Sequence, residues 1–291
     1  MQEPSVLVVG AGTMGVGIAH GFLLAGSPVS VVEVDHGRAQ QAAAAITRTF
    51  EGGVARGKVE QSYAEECLRR LAWHERIEDA PQTNLAIESV PESMALKREV
   101  LVAIEALGPQ TLATNTGALS IDRIAESLSR PDRFIGMHFF NPVWAMPLVE
   151  VVAGKQTSPD TLSVAVGAVE RLGKRPIVVK DSPGFVSSRL GLVLGLEAMR
   201  MLESGVAAVG DIDAAMTLGY RHPMGPLELT DLVGLDVRLD VARHLERELG
   251  DRFTPPAILE RLVADGALGR KAGRGFYIWD GDDVVGEGAV P

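Results

Sequence analysis

Cysteine, positive charge and long apolar runs are all scarce in this chain of 291 residues. A single cysteine, Cys67, excludes an intrachain disulfide and a cysteine-cluster metal site, and no metal centre is expected. Such sparing cysteine use fits a reducing compartment, so residence in the cytoplasm is the expectation. Lys and Arg number 28 against 38 Asp and Glu, a formal net charge of −10. Nucleic acid and anionic membrane both require a clustered excess of cations, so neither is expected as a partner. Any phosphate-bearing ligand must therefore be held locally. The most apolar helix-like stretch, residues 185 to 202, is interrupted by Arg189, Glu197 and Arg200, and reads as a core helix rather than a membrane span. No basic, apolar and small-residue regions follow one another at the N-terminus, so a secretory signal is not expected. With 46% hydrophobic and 23% charged residues, the composition is that of a folded chain.

The first half alternates β-rich runs (VLVV, VSVVEV, LAIESV, TLATNT, RFIGMHFF) with helix-like stretches, which predicts parallel strands joined by helical crossovers. After LVEVV, a helix over 160–172 and the run PIVV, the alternation stops at KDSPGF. From Pro183 onward the periodicity is helical. The expected architecture is α/β: a Rossmann-type, doubly wound, mostly parallel sheet in residues 1–181, followed by an all-helical domain in residues 182–291. The second domain has more apolar helix surface than about 110 residues bury alone, so a homodimer through it is expected.

VLVVGAGTMGVGIAHGFLLAG places Gly10, Gly12 and Gly15 between an apolar strand and a helix, with Glu33 closing the next strand. In that context the glycine spacing points to a dinucleotide site. Gly10 allows the tight turn, Gly12 lets the backbone approach a pyrophosphate, and Gly15 lets the helix pack on the strand. Thr13 and Met14 belong to the same loop, whose free N–H groups and helix dipole favour phosphate. Glu33 can accept from both ribose hydroxyls but would repel a 2′-phosphate, so NAD is favoured over NADP. An ordinary strand-turn-helix with packing glycines is the alternative.

His138 ends a later strand, where ligands of open α/β sheets bind. An imidazole suits removal of a hydroxyl proton as hydride departs. Glu150, across the turn made by Asn141 and Pro142, is placed to accept from its other ring nitrogen. Alone, a histidine at a strand end reads as a hydrogen-bonded core residue; the dinucleotide loop favours the catalytic role.

The stretches GAGTMGVGIA, ESVPESMALK, TNTGALSI, HFFNPVWAMPLVEV, KDSPGF, GYRHPMGPLELTDLVGLD and GRKAGRGFY together resemble the 3-hydroxyacyl-CoA dehydrogenase family, short monofunctional branch, over nearly the whole chain. The resemblance implies an enzyme of fatty acid metabolism acting on an acyl-CoA with NAD. It makes His138 the general base and Glu150 its partner, with Asn141 shaping the site. It places Glu92 and Lys97 near the nicotinamide and its ribose, although a solvated helix start with a charge pair fits their spacing equally. Asn115 falls among the cofactor contacts. Two substrate-facing positions depart from the family: Gly117 stands where a serine is usual, and Ser188 where an asparagine is usual. Thr116 is expected to supply part of the missing hydroxyl. Arg48, Arg56 and Lys58 lie where the family contacts CoA, and a solvated face explains each more simply. A dehydrogenase of a free 3-hydroxy acid and a catalytically weakened NAD-binding paralogue are the competing readings.

Overall fold

The computed structural model describes residues 3–288, and the chain divides between Phe185 and Val186 into two compact units. The first contains β1 (Val6–Val9), α1 (Thr13–Leu24), β2 (Val29–Val32), α2 (His36–Ala55), α3 (Gln61–Arg69), β3 (Leu71–His74), β4 (Leu85–Glu88), α4 (Met94–Ala106), β5 (Thr111–Thr114), α5 (Ile121–Ala125), β6 (Phe134–Phe139), β7 (Leu148–Ala153), α6 (Pro159–Arg171) and β8 (Arg175–Lys180). Strands β1, β2, β4 and β5 are buried at every residue, as continuous apolar runs covered on both faces must be.

These strands form one sheet of eight in the order β3-β2-β1-β4-β5-β6-β7-β8. The first six run parallel; β7 is antiparallel to β6, and β8 runs parallel to β7. The chain winds outward from β1 to β3 and then crosses back to β4, on the other side of β1. That reversal leaves a crevice beyond the C-terminal ends of β1 and β4, where open α/β sheets bind ligands. One face of the sheet packs Ile18, Phe22, Ile46 and Val169 beneath the flanking helices, and the other packs Leu101, Ile104, Ile124 and Phe185.

The alternation read from the sequence is present, with one strand that it does not reveal. The edge strand β3 reads LAWH, too short and too exposed to show a burial pattern.

The second unit comprises α7 (Ser187–Glu203), α8 (Val209–Ala214), α9 (Pro226–Val233), α10 (Leu235–Leu249), α11 (Ala257–Ala264), β9 (Tyr277–Asp280) and β10 (Asp283–Glu287). Its core is helical, built on Leu192, Leu196, Leu227, Leu239, Leu245 and Leu262. The expectation of an all-helical domain is corrected at its end, where β9 and β10 pair antiparallel. Two buried carboxylates fasten this hairpin to the helices. Asp231 accepts from the N–H groups of Phe276 and Tyr277 and from Trp279 Nε1, each at 2.9 Å. Asp213 accepts from Leu227 and Glu228 N–H and from the Tyr277 hydroxyl. A Cβ on Gly275 would stand 2.2 Å from Asp231 Oδ1, so glycine is required there.

One buried base makes the first unit sensitive to acid. His20, in α1, is 6% exposed, its ring centroid 4.5 Å from that of Phe50. Burial, with Lys174 nearby, pulls its pKa from 6.5 to about 4. The unfolded chain therefore binds the proton more readily, and stability falls as pH drops from about 6.5 towards 4. At about 1.4 kcal/mol per pH unit the loss is bounded near 3 kcal/mol. Urea unfolding between pH 4 and 7 should show this slope in the parent and a flatter one in His20→Gln; equal slopes would contradict it.

Candidate active site

At the end of β1, Gly10 has φ +98°, and a Cβ there would come within 2.8 Å of the Ser89 carbonyl oxygen just after β4. Only glycine allows the two strand ends to approach so closely at the crevice. A Cβ on Gly15 would fall 1.9 Å from the Gly10 carbonyl oxygen, so the first turn of α1 sits directly on the loop. Gly12 differs from both: nothing lies within 4 Å of its Cβ position, and it caps α1 without a side chain. Gly12 and Thr13 are exposed and Met14 half-buried, which leaves open backbone at a positive helix end. Glu33 is 7% exposed; its carboxylate accepts from Ala11 N–H at 3.1 Å and from Asp35 N–H at 3.2 Å. It thus ties the glycine loop to the end of β2 and presents negative charge beside it. A crevice, an open glycine at a helix start and a fixed acid fit a dinucleotide.

Lys97 is fully buried, its Nζ 2.8 and 3.1 Å from the two oxygens of Glu88, which is also fully buried. It also donates to the carbonyls of Val90 and Asn115 and lies 3.4 Å from Glu92 Oε2. This geometry removes the solvated alternative for Lys97, while Glu92 stays exposed at the helix start. Burial pushes the Glu88 carboxyl up, against the pull of Lys97, Thr114 and the Val90 N–H. Sequence reasoning passed over Glu88; the available signal was a carboxylate ending the otherwise apolar run LAIE. Glu92 carries the network to the next loop, where its Oε1 accepts from the Thr116 hydroxyl and from the N–H groups of Gly117 and Ala118. Thr116 is 1% exposed and also accepts from Leu119 N–H, so its hydroxyl is committed to the loop. The expectation that Thr116 replaces the missing serine hydroxyl is corrected accordingly.

Asn115 Oδ1 accepts from Phe139 N–H at 3.0 Å, joining this loop to β6, and its Nδ2 reaches Ser89 Oγ at 3.3 Å. In the antiparallel pairing of β6 with β7, His138 stands directly opposite Glu150. Residues so paired project from the same face of a sheet. His138 Nδ1 lies 2.6 Å from Glu150 Oε2, with the Glu150 side chain fully buried and that of His138 14% exposed. The ring is flanked by Phe140 and Phe185, with centroids 4.5 and 5.9 Å away. Phe185 holds φ +48°, a left-handed conformation seldom taken by a bulky residue, and was absent from the sequence-based site. A Cβ on Gly117 would lie 3.4 Å from His138 Nε2, so the ring nitrogen opposite Glu150 faces this glycine.

The loop between the dyad members is anchored by Val143, which packs where a side chain on Gly17 would stand, and by Lys174, which donates to the Val143 and Met146 carbonyls. Trp144 is 60% exposed, with the Arg56 guanidinium 5.8 Å from its ring centre. Asn141 is exposed and makes no hydrogen bond to another described residue. Ser188 lies in the first turn of α7 in the second unit. Among the described residues no cluster of three or more His, Cys, Asp or Glu could hold a metal, and no helix is long and apolar enough to cross a membrane.

Residues 5–182 match the sequence model of the 3-hydroxyacyl-CoA dehydrogenase NAD-binding domain, and residues 184–279 that of the C-terminal domain. The chain belongs to the 3-hydroxyacyl-CoA dehydrogenase family. It is an oxidoreductase that binds NAD. It is similar to 3-hydroxybutyryl-CoA dehydrogenase of Clostridioides difficile, with 40% identity covering 93% of this chain and 97% of the relative. Similarity to 3-hydroxybutyryl-CoA dehydrogenase of Bradyrhizobium diazoefficiens is 39% over 96% of both chains. Among solved structures, (S)-3-hydroxybutyryl-CoA dehydrogenase PaaH1 from Ralstonia eutropha superposes with a TM-score of 0.91 at 38% identity, covering 95% of this chain and 99% of that one.

The buried ion pair generates a stability test. Lys97→Met should cost about 3–5 kcal/mol, because it strands the Glu88 carboxylate in the core. Adding Glu88→Gln should recover a substantial part of that loss. Urea denaturation of both variants decides; a single variant as stable as the parent would show that the pair does not hold this region.

Proposed function

We propose that the enzyme oxidises an (S)-3-hydroxyacyl-CoA to the 3-ketoacyl-CoA, or catalyses the reverse, with His138 as general base oriented by Glu150. The observation supporting this reading is the 2.6 Å contact between His138 Nδ1 and a fully buried carboxylate. A carboxylate only accepts, so the shared proton sits on Nδ1, and Nε2 keeps its lone pair for the substrate hydroxyl. NAD+, when bound at the glycine loop, would supply the hydride acceptor. As the C3–H leaves with its electron pair, His138 Nε2 removes the hydroxyl proton and the C–O bond becomes a carbonyl. The Glu150 charge steadies the imidazolium that results. In the reductive direction the same nitrogen returns the proton.

Further assignments belong to this reading. The loop Gly10–Gly15 carries the pyrophosphate and Glu33 the ribose hydroxyls, an arrangement that disfavours a 2′-phosphate. Glu92, with Lys97 and Asn115 behind it, borders the nicotinamide side. Gly117 and Ser188 face the substrate, and Asn141 shapes the loop. Residues 1–181 serve the cofactor; residues 182–291 serve the substrate and a homodimer. The exposed residues Val186, Leu190 and Leu194 of the second unit recur every four positions, the apolar stripe a second copy would cover. Cytoplasmic residence completes the reading.

His138→Ala should lower kcat for acetoacetyl-CoA reduction by roughly 10² to 10⁴ while leaving NADH affinity nearly intact, and Glu150→Gln should lose less. Near-normal turnover by the histidine variant, with NADH binding followed by fluorescence, would sink the dyad.

Gly117 and Ser188 generate the complementary test. The combined change Gly117→Ser with Ser188→Asn should raise kcat/KM on acetoacetyl-CoA by about ten- to a hundredfold, since each restored hydrogen bond contributes about 0.5–1.5 kcal/mol or more near charge. A loss of activity instead would mean that Gly117 makes room for a larger acyl group.

A further inference from the structure

The proposed oxidation moves one positive charge within the first unit. Hydride leaving C3 neutralises a nicotinamide ring, while the hydroxyl proton turns His138 into an imidazolium. A carboxylate stands at the imidazole end, where the fully buried Glu150 places Oε2 2.6 Å from Nδ1. It favours the state in which His138 is charged. A negative charge at the opposite end would favour the state before transfer, and the loop that faces His138 Nε2 carries one.

Gly117 lies beside that nitrogen, its Cβ position 3.4 Å away. Its N–H donates to Glu92 Oε1 at 3.1 Å, as does that of Ala118 at 3.3 Å, and the Thr116 hydroxyl donates to the same oxygen. The other oxygen, Oε2, lies 3.4 Å from Lys97 Nζ. Glu92 is therefore fixed at both oxygens, one residue's width from the reacting atoms. Lys97 does not cancel its charge, because the same ammonium is shared with Glu88 at 2.8 and 3.1 Å. Two carboxylates against one ammonium leave a single net negative charge. Lys97 and Glu88 are fully buried, whereas Glu92 is exposed just past the end of β4. Glu88 alone would match the buried ammonium, so the third member brings excess charge to the edge of the crevice.

We propose that Glu88, Lys97 and Glu92 act as an electrostatic counterweight to Glu150. They raise the affinity for the oxidised, cationic cofactor over that for the reduced, neutral one, and so restrain the bound reaction from running to ketone and imidazolium. The inference rests on the acyl-CoA reading above, which sets the nicotinamide next to the carbon whose hydroxyl His138 Nε2 deprotonates. Glu88 is a positioning residue that never touches the cofactor; it acts through Lys97, by deciding how much of the Glu92 charge is left over. Opposite charges about 8 Å apart at an effective dielectric of about 20, discounted for the exposure of Glu92, correspond to about a five- to thirtyfold change in affinity.

The test is the ratio of dissociation constants for NAD+ and NADH, read by NADH fluorescence titration and by competition with NAD+. Glu92→Gln keeps an oxygen for the Gly117 and Ala118 N–H groups; it should weaken NAD+ by about five- to thirtyfold and NADH by less than about twofold. Glu88→Gln should move the ratio the same way by about two- to tenfold, from a position without contact to the cofactor. Because Glu92 is exposed, its variant gives the ratio even where the buried one does not fold. Thr116→Val loosens the same loop without altering charge and should shift both constants together. A ratio unchanged in folded Glu92→Gln, or reproduced by Thr116→Val, would overturn the inference while parent turnover of acetoacetyl-CoA keeps the acyl-CoA reading intact. A ratio moved by Glu92→Gln alone, with Glu88→Gln folded and unchanged, would reduce the effect to direct contact and overturn the role of the buried pair. Failure of the parent to reduce acetoacetyl-CoA with NADH would overturn the reading beneath, and the inference with it.

Discussion

The pairing of β6 with β7 is the constraint on which the site depends. A sheet of parallel strands alone would leave the residue after His138 to continue into a crossover helix, and Glu150 would return far from it. Reversing the chain through residues 141–147 makes the strands neighbours in opposite directions, and the register sets His138 against Glu150. Side-chain geometry then follows from the pleat, since opposed residues share a face. The reversing loop is held at both shoulders, by Val143 against Gly17 and by Lys174 at two carbonyls, so the register has support outside the strands.

Around that pair the first unit uses buried charge as a fastening. Lys97 joins the end of β4 to the loop after β5 through Glu88, Val90, Asn115 and Glu92, all within 3.4 Å. Asn115 extends the tie to Phe139 on β6. A rigid chain of contacts therefore runs from the glycine crevice to the strand that bears His138, and it fixes Gly117 beside the open ring nitrogen. The second unit follows the same practice at Asp213 and Asp231, where each carboxylate gathers donors from separate elements.

Much of the architecture was legible beforehand because its signals are local. VLVV followed by GAGTMG carries strand, turn and helix start within a few residues, and the roles of Gly10 and Gly15 follow from backbone crowding that their spacing already implies. The helical periodicity after Pro183 was equally plain. Less was visible where the deciding contact is remote. Glu88 is a single acid at the end of an apolar strand, and its lysine comes from a helix nine positions on. Thr116 looked available to substrate, yet Glu92 claims it. The hairpin at the end of the second unit rests on Asp231, some 45 residues earlier in the chain. Short runs such as LAWH and YIWD have too few residues to show a period.

The sequence by itself determined the alternation of strands and helices, the glycine loop with its acid, and the residue types of the dyad, since each is encoded in a contiguous pattern of polarity and size. Only the tertiary structure decided the register that sets His138 against Glu150, the burial of Lys97 against Glu88, and the fastening of the terminal hairpin on Asp231. These depend on which segments become neighbours, and a side chain's charge acquires its cost or its partner only when packing removes the water around it.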